Sequence, residues 1–248
     1  MELYLITGFL GAGKTTFLKN FARQFAGRRL RLIINEFGRA GVDGTLLREL
    51  DAALDEISNG SIFCACRLDQ FEAALEQAAA DAPDVVLVEA SGLADPTNVR
   101  RVLAQFPAVS YQGSVCVADA ARLEKVFSTA RACPRQLAVS SLVLLNKTDL
   151  ATEAQCAEAK ALILRANPAA RIRRTQFGRF EPEWLSLIVP DVDVDEVLDM
   201  PDITRAKTRC CRSVHDALYG TAKRALYSLR EKHGVSKALY ACRRVIFY

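Results

Sequence analysis

No apolar run in this chain approaches the roughly 20 residues that a membrane-crossing helix requires. The opening segment, MELYLITGFL, lacks the positively charged start and small-residue cleavage site of a secretory leader, and reads as a strand entering a loop. No internal repeat and no low-complexity tract is present. No stacking-aromatic motif accompanies the basic residues, which argues against nucleic acid as a partner. These absences leave a globular, cytoplasmic chain as the expectation, with neither a membrane nor a nucleic acid as its partner. In a reducing compartment its eight cysteines, at 64, 66, 116, 133, 156, 210, 211 and 242, are expected as core residues or metal ligands rather than disulfides.

With 248 residues, half of them hydrophobic and a quarter charged, the chain is long enough to bury a large core without disulfides or a structural metal. Its charge is unevenly spread. Residues 1–200 carry 22 Lys/Arg against 26 Asp/Glu, whereas residues 201–248 carry 11 against 3, a local excess of +8. That basic end reads either as a solvated helical face or as a docking surface for an acidic partner.

Short apolar runs alternate with helical patterns. Strands are expected at 3–7, 30–35, 54–58, 84–90, 114–120, 141–147 and 170–175. Helices are expected at 14–25, 68–80 and 152–167. The runs VVLV, SVCVA and LVLL have no polar face, as suits strands covered on both sides of a parallel sheet. The alternation predicts a doubly wound α/β fold with a mainly parallel sheet over residues 1–180. After residue 180 the chain reads as an acidic, proline-punctuated connector and then a short, basic helical appendage, 181–248 in all. There Val214, Leu218, Thr221, Ala225 and Leu229 share one helical stripe, and Gly234 falls where a C-cap is expected.

GFLGAGKT, Gly8 to Thr15, matches the phosphate-loop pattern G-x-x-x-x-G-K-[ST] between a predicted strand and a predicted helix, which makes the expected fold of the P-loop NTPase type. Its glycines free backbone N–H groups to turn toward phosphates, and the helix N-terminus adds partial positive charge. Gly8, Gly11, Ala12, Gly13, Lys14, Thr15 and Thr16 form the expected cradle. Lys14 is expected to reach the β- and γ-phosphates, and the Thr15 hydroxyl to hold Mg²⁺.

Two further motifs follow in chain order. VVLVEASG ends a buried strand on Glu89, where a parallel sheet delivers residues to a nucleotide. Glu89 is expected to bind Mg²⁺ through water or to orient the attacking water, and the Gly92 N–H to sense the γ-phosphate. NKTD closes another strand: the Asp149 carboxylate accepts from the two N–H donors of guanine, a pair that adenine does not offer. Asn146 would hold the loop and base edge, with the Lys147 stem along the base.

GFLGAGKTT, NEFG…GVD, NGSIFCAC, EASGLADP and NKTD occur in the order seen in the CobW-like GTPases, which this sequence resembles over roughly residues 1–180. Those are P-loop GTPases linked to metallocentre assembly and related to the nickel-inserting urease and hydrogenase accessory GTPases. The resemblance implies that Asp43 lies in switch I near Mg²⁺ and that Glu36 contributes to a metal site near the nucleotide. It also implies nucleotide-dependent homodimerisation and a client metalloprotein or cofactor-assembly protein. The family usually shows a glycine followed by Cys-x-Cys-Cys; aligned on Asn59–Gly60, this chain has Ser61, Phe63 and Cys64 at those three positions, with Cys66 added two residues on.

Cys64 and Cys66, two apart in an extended segment, share a face and suit a soft or borderline ion such as Zn²⁺, Ni²⁺, Co²⁺ or Cu⁺. Glu36 is a candidate third donor, and a site left incomplete suits a carrier. The alternative is that the two thiols pack a turn. A weaker constellation, Cys210, Cys211, His215 and His233, reads mainly as incidental placement. The leading function is a slow Mg²⁺-dependent GTPase, with Lys14, Asp43 and Glu89 catalytic, whose GTP/GDP state gates metal delivery or metalloenzyme activation. A regulatory GTP switch that carries no metal is the alternative, its thiols structural or redox-sensing. A small-molecule kinase is a third, and NKTD argues against it.

Overall fold

The structure, a computed structural model, describes residues 1–35, 52–57, 62–63 and 68–190. The expectations for Glu36, Asp43, Cys64, Cys66, the weaker cysteine–histidine constellation and the basic helix all fall on residues outside this set.

Strands without a polar face require cover on both sides, and the architecture follows from that. β1 (Glu2–Thr7), β2 (Leu30–Asn35), β3 (Ala53–Ile57), β4 (Val85–Glu89), β5 (Ser110–Asp119), β6 (Leu142–Asn146) and β7 (Arg171–Arg174) form one sheet in the order β3-β2-β4-β1-β5-β6-β7. Every pairing is parallel. The described helices are α1 (Lys14–Ala22), α2 (Leu68–Asp81), α3 (Val99–Leu103), α4 (Leu123–Thr129), α5 (Ala132–Ala138) and α6 (Glu153–Ala166). None of the described helices is long and apolar enough to cross a membrane.

The period-two alternation of β1 splits the core. Tyr4 and Ile6 join Phe17 and Phe21 of α1 on one face, while Leu3 and Leu5 join Phe71 and Leu75 of α2 on the other. On the α1 side, Phe17 stacks on Phe21 at 5.2 Å, Phe21 meets Phe180 edge-on at 4.8 Å, and Phe180 meets Trp184 at 5.8 Å. Each fully buried Phe stabilises the fold by on the order of 2 kcal/mol. The acidic stretch after residue 180 therefore begins by covering the domain: Trp184, Leu185 and Leu187 pack on this cluster, and the Val189 N–H donates to Ser141 Oγ at 3.0 Å.

Two sequence-derived bounds shift by more than two residues. The helix expected over 14–25 ends at Ala22 and tightens into a 3₁₀ turn, Arg23–Phe25. The strand expected from 114 begins at Ser110, pairing with Glu2 of β1 despite its half-exposed first residues. α6 opens on a capping box, in which Thr152 Oγ1 accepts from Gln155 N and Gln155 Oε1 accepts from Thr152 N, which fixes its start.

A buried arginine braces one edge of the sheet. Arg31 of β2 is 5% exposed and donates to Asp55 of β3 at 2.6 and 2.9 Å and to Asp81 of α2. This fork ties edge strand β3 to the sheet.

Candidate functional site

A parallel sheet points all its carboxyl ends the same way, so the residues that end the strands converge on one rim. Gly8 follows β1, Asn35 ends β2, Glu89 ends β4, Asp119 ends β5 and Asn146 ends β6.

The phosphate loop links β1 to α1. Gly13 is the N-cap of α1 at φ +102°, and a Cβ there would lie 2.6 Å from Asn146 Nδ2, so only glycine fits. No side chain caps α1 and no acidic residue occupies its first turn. Its leading amides are thereby open to an anion, with the helix dipole behind them. Lys14 is buried within this loop and Thr16 is exposed at its edge. Thr15 Oγ1 donates to Glu89 Oε1 at 3.1 Å, which brings together two of the three residues expected at the Mg²⁺ site, the third, Asp43, lying outside the described residues. Glu89 is 2% exposed. The pair offers oxygen donors only, one hydroxyl and one carboxylate, which fits a hard cation such as Mg²⁺.

The opposite end is tied to the phosphate loop through β6. Asn146 is buried; its Nδ2 donates to Ala12 O at 2.9 Å, and its Oδ1 accepts the Gly178 N–H at 3.1 Å. Lys147 adopts φ +58°, and its Nζ reaches Gly11 O at 2.6 Å and Asp119 Oδ2 at 2.8 Å. Asp149 stands exposed beyond them, with its carboxylate accessible.

Two contributors escaped the sequence reading. The turn at Phe177–Gly178 abuts NKTD: Asn20 Nδ2 donates to both carbonyls, at 3.1 and 2.9 Å, and Thr148 Oγ1 donates to Thr175 O at 3.1 Å. Phe177 is 65% exposed there, an aromatic face at the rim. Asn35 is the other. Its Oδ1 accepts the Ile62 N–H at 3.1 Å and the Ser91 N–H at 3.4 Å, while its Nδ2 donates to Ile57 O at 3.0 Å. One side chain thus joins the segment that leads into Cys64 to the loop that follows Glu89. Phe177 sits in a tract with no motif of its own; Asn35 opens NEFG, where the expected role fell on the neighbouring Glu36 and only the strand-end position of Asn35 hinted at its own.

Gly92 lies against the phosphate loop. A Cβ on it would come 2.6 Å from the Leu10 N and 2.7 Å from the Leu10 side chain. Glycine is required there by close approach.

The described cysteines behave as core. Cys116, Cys133 and Cys156 are buried free thiols, and burial pushes the Cys116 and Cys133 thiols up to about 12. They stay protonated at neutral pH and are poor ligands in that form. No group of three or more His, Cys, Asp or Glu with metal-holding geometry occurs among the described residues.

Comparison with known proteins places this geometry in a family. The family model for the CobW/HypB/UreG nucleotide-binding domain matches residues 2–174. The chain is 32% identical over 206 residues to the zinc chaperone CobW of Pseudomonas aeruginosa, a match covering 68% of this chain and 55% of that one. It is 29% identical over 161 residues to the zinc chaperone YjiA of Escherichia coli K12, covering 61% of this chain and 50% of that one. The chain thus spans about half the length of the curated relatives it matches. The crystal structure of Zn(II)-bound YjiA GTPase from E. coli shares the fold, with a TM-score of 0.57 and 22% identity over 88% of this chain and 69% of that one. By sequence match, all-parallel sheet and phosphate-loop rim, the chain belongs to the CobW/HypB/UreG family of nucleotide-binding domains.

Proposed function

We propose that this domain binds GTP with Mg²⁺, hydrolyses it slowly to GDP and phosphate, and couples its nucleotide state to delivering a metal ion to a client metalloprotein or metallocofactor assembly. The observation that carries the reading is the Thr15–Glu89 hydrogen bond, which sets the acidic strand end against the phosphate-loop hydroxyl.

The amides of the phosphate loop and the first turn of α1 would hold the phosphate oxygens. Lys14 would stabilise charge on the β–γ bridge and γ-phosphoryl oxygens. Thr15 and Glu89, joined by Asp43 from switch I, would hold Mg²⁺, which when bound neutralises charge developing on the phosphates. Glu89 would also orient the attacking water. At the base end, Asp149 would accept from guanine, with Asn146 and Lys147 keeping that loop against the phosphate cradle.

The metal half of the proposal rests on Asn35. Its Oδ1 is shared between Ile62, two residues before Cys64, and Ser91, two residues after Glu89. A shift of the Glu89–Gly92 loop with nucleotide state would alter the anchor of the thiol segment. Glu36, Cys64 and Cys66 are the proposed donors, and zinc is the favoured cargo because relatives of the chain are named zinc chaperones. Nucleotide-dependent pairing of two copies would supply further donors.

Single-turnover hydrolysis tests the nucleotide half. Wild-type protein should cleave GTP in preference to ATP, need Mg²⁺, and pass phosphate to water alone, and Thr15→Ala should be slowed strongly. Equal turnover of ATP, or turnover indifferent to Mg²⁺ and to Thr15→Ala, contradicts it.

A further inference from the structure

α5 contributes no motif, yet it holds the loop after Glu89 at three points. Gln136 Nε2 donates to Ala94 O at 2.9 Å and to Gly92 O at 3.3 Å. The neighbouring Arg135 pairs with the Asp95 carboxylate, which also accepts from Thr97 N at 3.2 Å and Thr97 Oγ1 at 2.8 Å. Arg135 is half exposed, so its ion pair is screened and worth little. Gln136 is 1% exposed, and its bonds are made out of water.

The orientation of that amide follows from its surroundings. Reversed, it would set an oxygen against two carbonyl oxygens, so the nitrogen must face the loop. The orientation leaves Gln136 Oε1 buried without a hydrogen-bond partner. A desolvated acceptor of this kind destabilises the fold, and packing alone would be served better by methionine or leucine. What the amide supplies in return is the placement of Gly92 and Ala94.

Gln136 is itself anchored toward the phosphate loop. Its backbone carbonyl accepts from Ser140 Oγ at 2.7 Å. That hydroxyl lies 3.3 Å from Thr7 Oγ1 at the end of β1 and 3.0 Å from Ser114 Oγ in β5. Asn167 Nδ2 fixes the same turn from behind, donating to Leu137 O, Ala138 O and Ser140 O at 3.3, 3.2 and 3.0 Å. A buried polar chain therefore runs from Gly92 through Gln136 and Ser140 to Thr7, the residue before the phosphate loop. Gly92 closes the circuit by lying against Leu10.

We propose that Gln136 is a positioning residue for GTP turnover, a buried latch whose two amide protons set the Gly92–Ala94 carbonyls and so the distance of the switch glycine from the phosphate loop. The latch makes no contact with nucleotide and acts through Gly92. Its bearing on turnover rests on the GTPase reading above, while the latch itself can be read without catalysis.

The test compares full-length wild type with Gln136→Met, which keeps volume and removes both donors, and with Gln136→Glu, which keeps shape and turns donors into acceptors. Amide hydrogen exchange at residues 92–94 should speed up at least about tenfold in both variants, while exchange in β6 and α6 stays as in wild type. Steady-state kcat should fall about tenfold with KM for GTP held within about threefold, the split expected of lost positioning rather than lost binding. Wild-type exchange at 92–94 in both variants, or wild-type kcat alongside faster exchange, overturns the proposal. Absence of GTP hydrolysis by the wild type overturns the GTPase reading instead, and the exchange comparison then decides the latch alone. If both variants fail to fold, the wild-type Gln136 side-chain amide protons decide it by NMR. Slow exchange, with a shift between the GDP and GTP-analogue forms, supports the latch; fast exchange or no shift overturns it.

Discussion

Asn146 and Ala12 lie 134 residues apart, and the amide nitrogen of one donates to the carbonyl of the other at 2.9 Å. Asn146 Oδ1 accepts at the same time from Gly178. One buried side chain therefore binds the phosphate loop, the NKTD loop and the Phe177–Gly178 turn into a single rim, so the loops proposed to hold base and phosphate share one support.

Guanine selection should rest on Asp149, which is exposed and free to meet a ligand. Asp149→Asn sets an amide donor against the N–H donors of guanine. GTP affinity should drop about a hundredfold, while a base carrying a carbonyl at that edge, as in xanthosine triphosphate, should gain. Competition binding with the two nucleotides measures it.

Gly92→Ala should uncouple binding from turnover. The added methyl meets the backbone of Leu10, so the loop after Glu89 must withdraw from the phosphate loop. GTP hydrolysis should fall by at least about tenfold, with GDP affinity changed about threefold or less. Pre-steady-state kinetics beside equilibrium GDP titration separates the two effects.

Arg31→Ala should destabilise the domain by about 3 kcal/mol, since it strands Asp55 and Asp81 beside a hole in the β2–β3 seam. Arg31→Lys should recover only part of this, because one ammonium cannot replace the fork toward both carboxylates. Urea midpoints at pH 7 give the ranking.

Alkaline conditions should weaken the fold through its thiols. Cys116 and Cys133 ionise near 9 when unfolded and near 12 when folded, so between those values the folded state retains protons that the unfolded state has lost. Their contribution is complete below pH 9 and falls as pH rises toward 12, by up to about 1.4 kcal/mol per unit per thiol. Unfolding under reducing conditions at pH 8 and 10 should show the loss, and Cys116→Val should flatten it.

Much of the fold was legible because β1, β4 and β6 carry apolar runs on both faces, a pattern that suits a covered parallel sheet. The phosphate loop and NKTD were legible because their chemistry is local. α3, α4 and α5 were not, since helices of 5 to 7 residues complete too few turns to show a period. β5 was read short because Ser110 to Gln112 are not fully buried and carry no apolar run. Asn35, Gln136 and Phe177 were missed for a different reason. Asn35 and Gln136 act on backbone groups 22 to 56 residues away in sequence, and the Phe177 carbonyl accepts from Asn20, 157 residues away, contacts that only the folded sheet brings within reach.

Coupling between nucleotide and metal is the central claim, and zinc affinity measures it most directly. Competitive titration under reducing conditions should be run on the nucleotide-free, GDP-bound and GTP-analogue-bound protein, with the Cys64→Ser/Cys66→Ser double variant alongside. Tight zinc binding that differs at least about tenfold between GDP and the GTP analogue, and disappears in the variant, is the predicted result. Absent binding, or binding indifferent to both nucleotide and thiols, contradicts the account and leaves a GTP switch with a packed thiol turn.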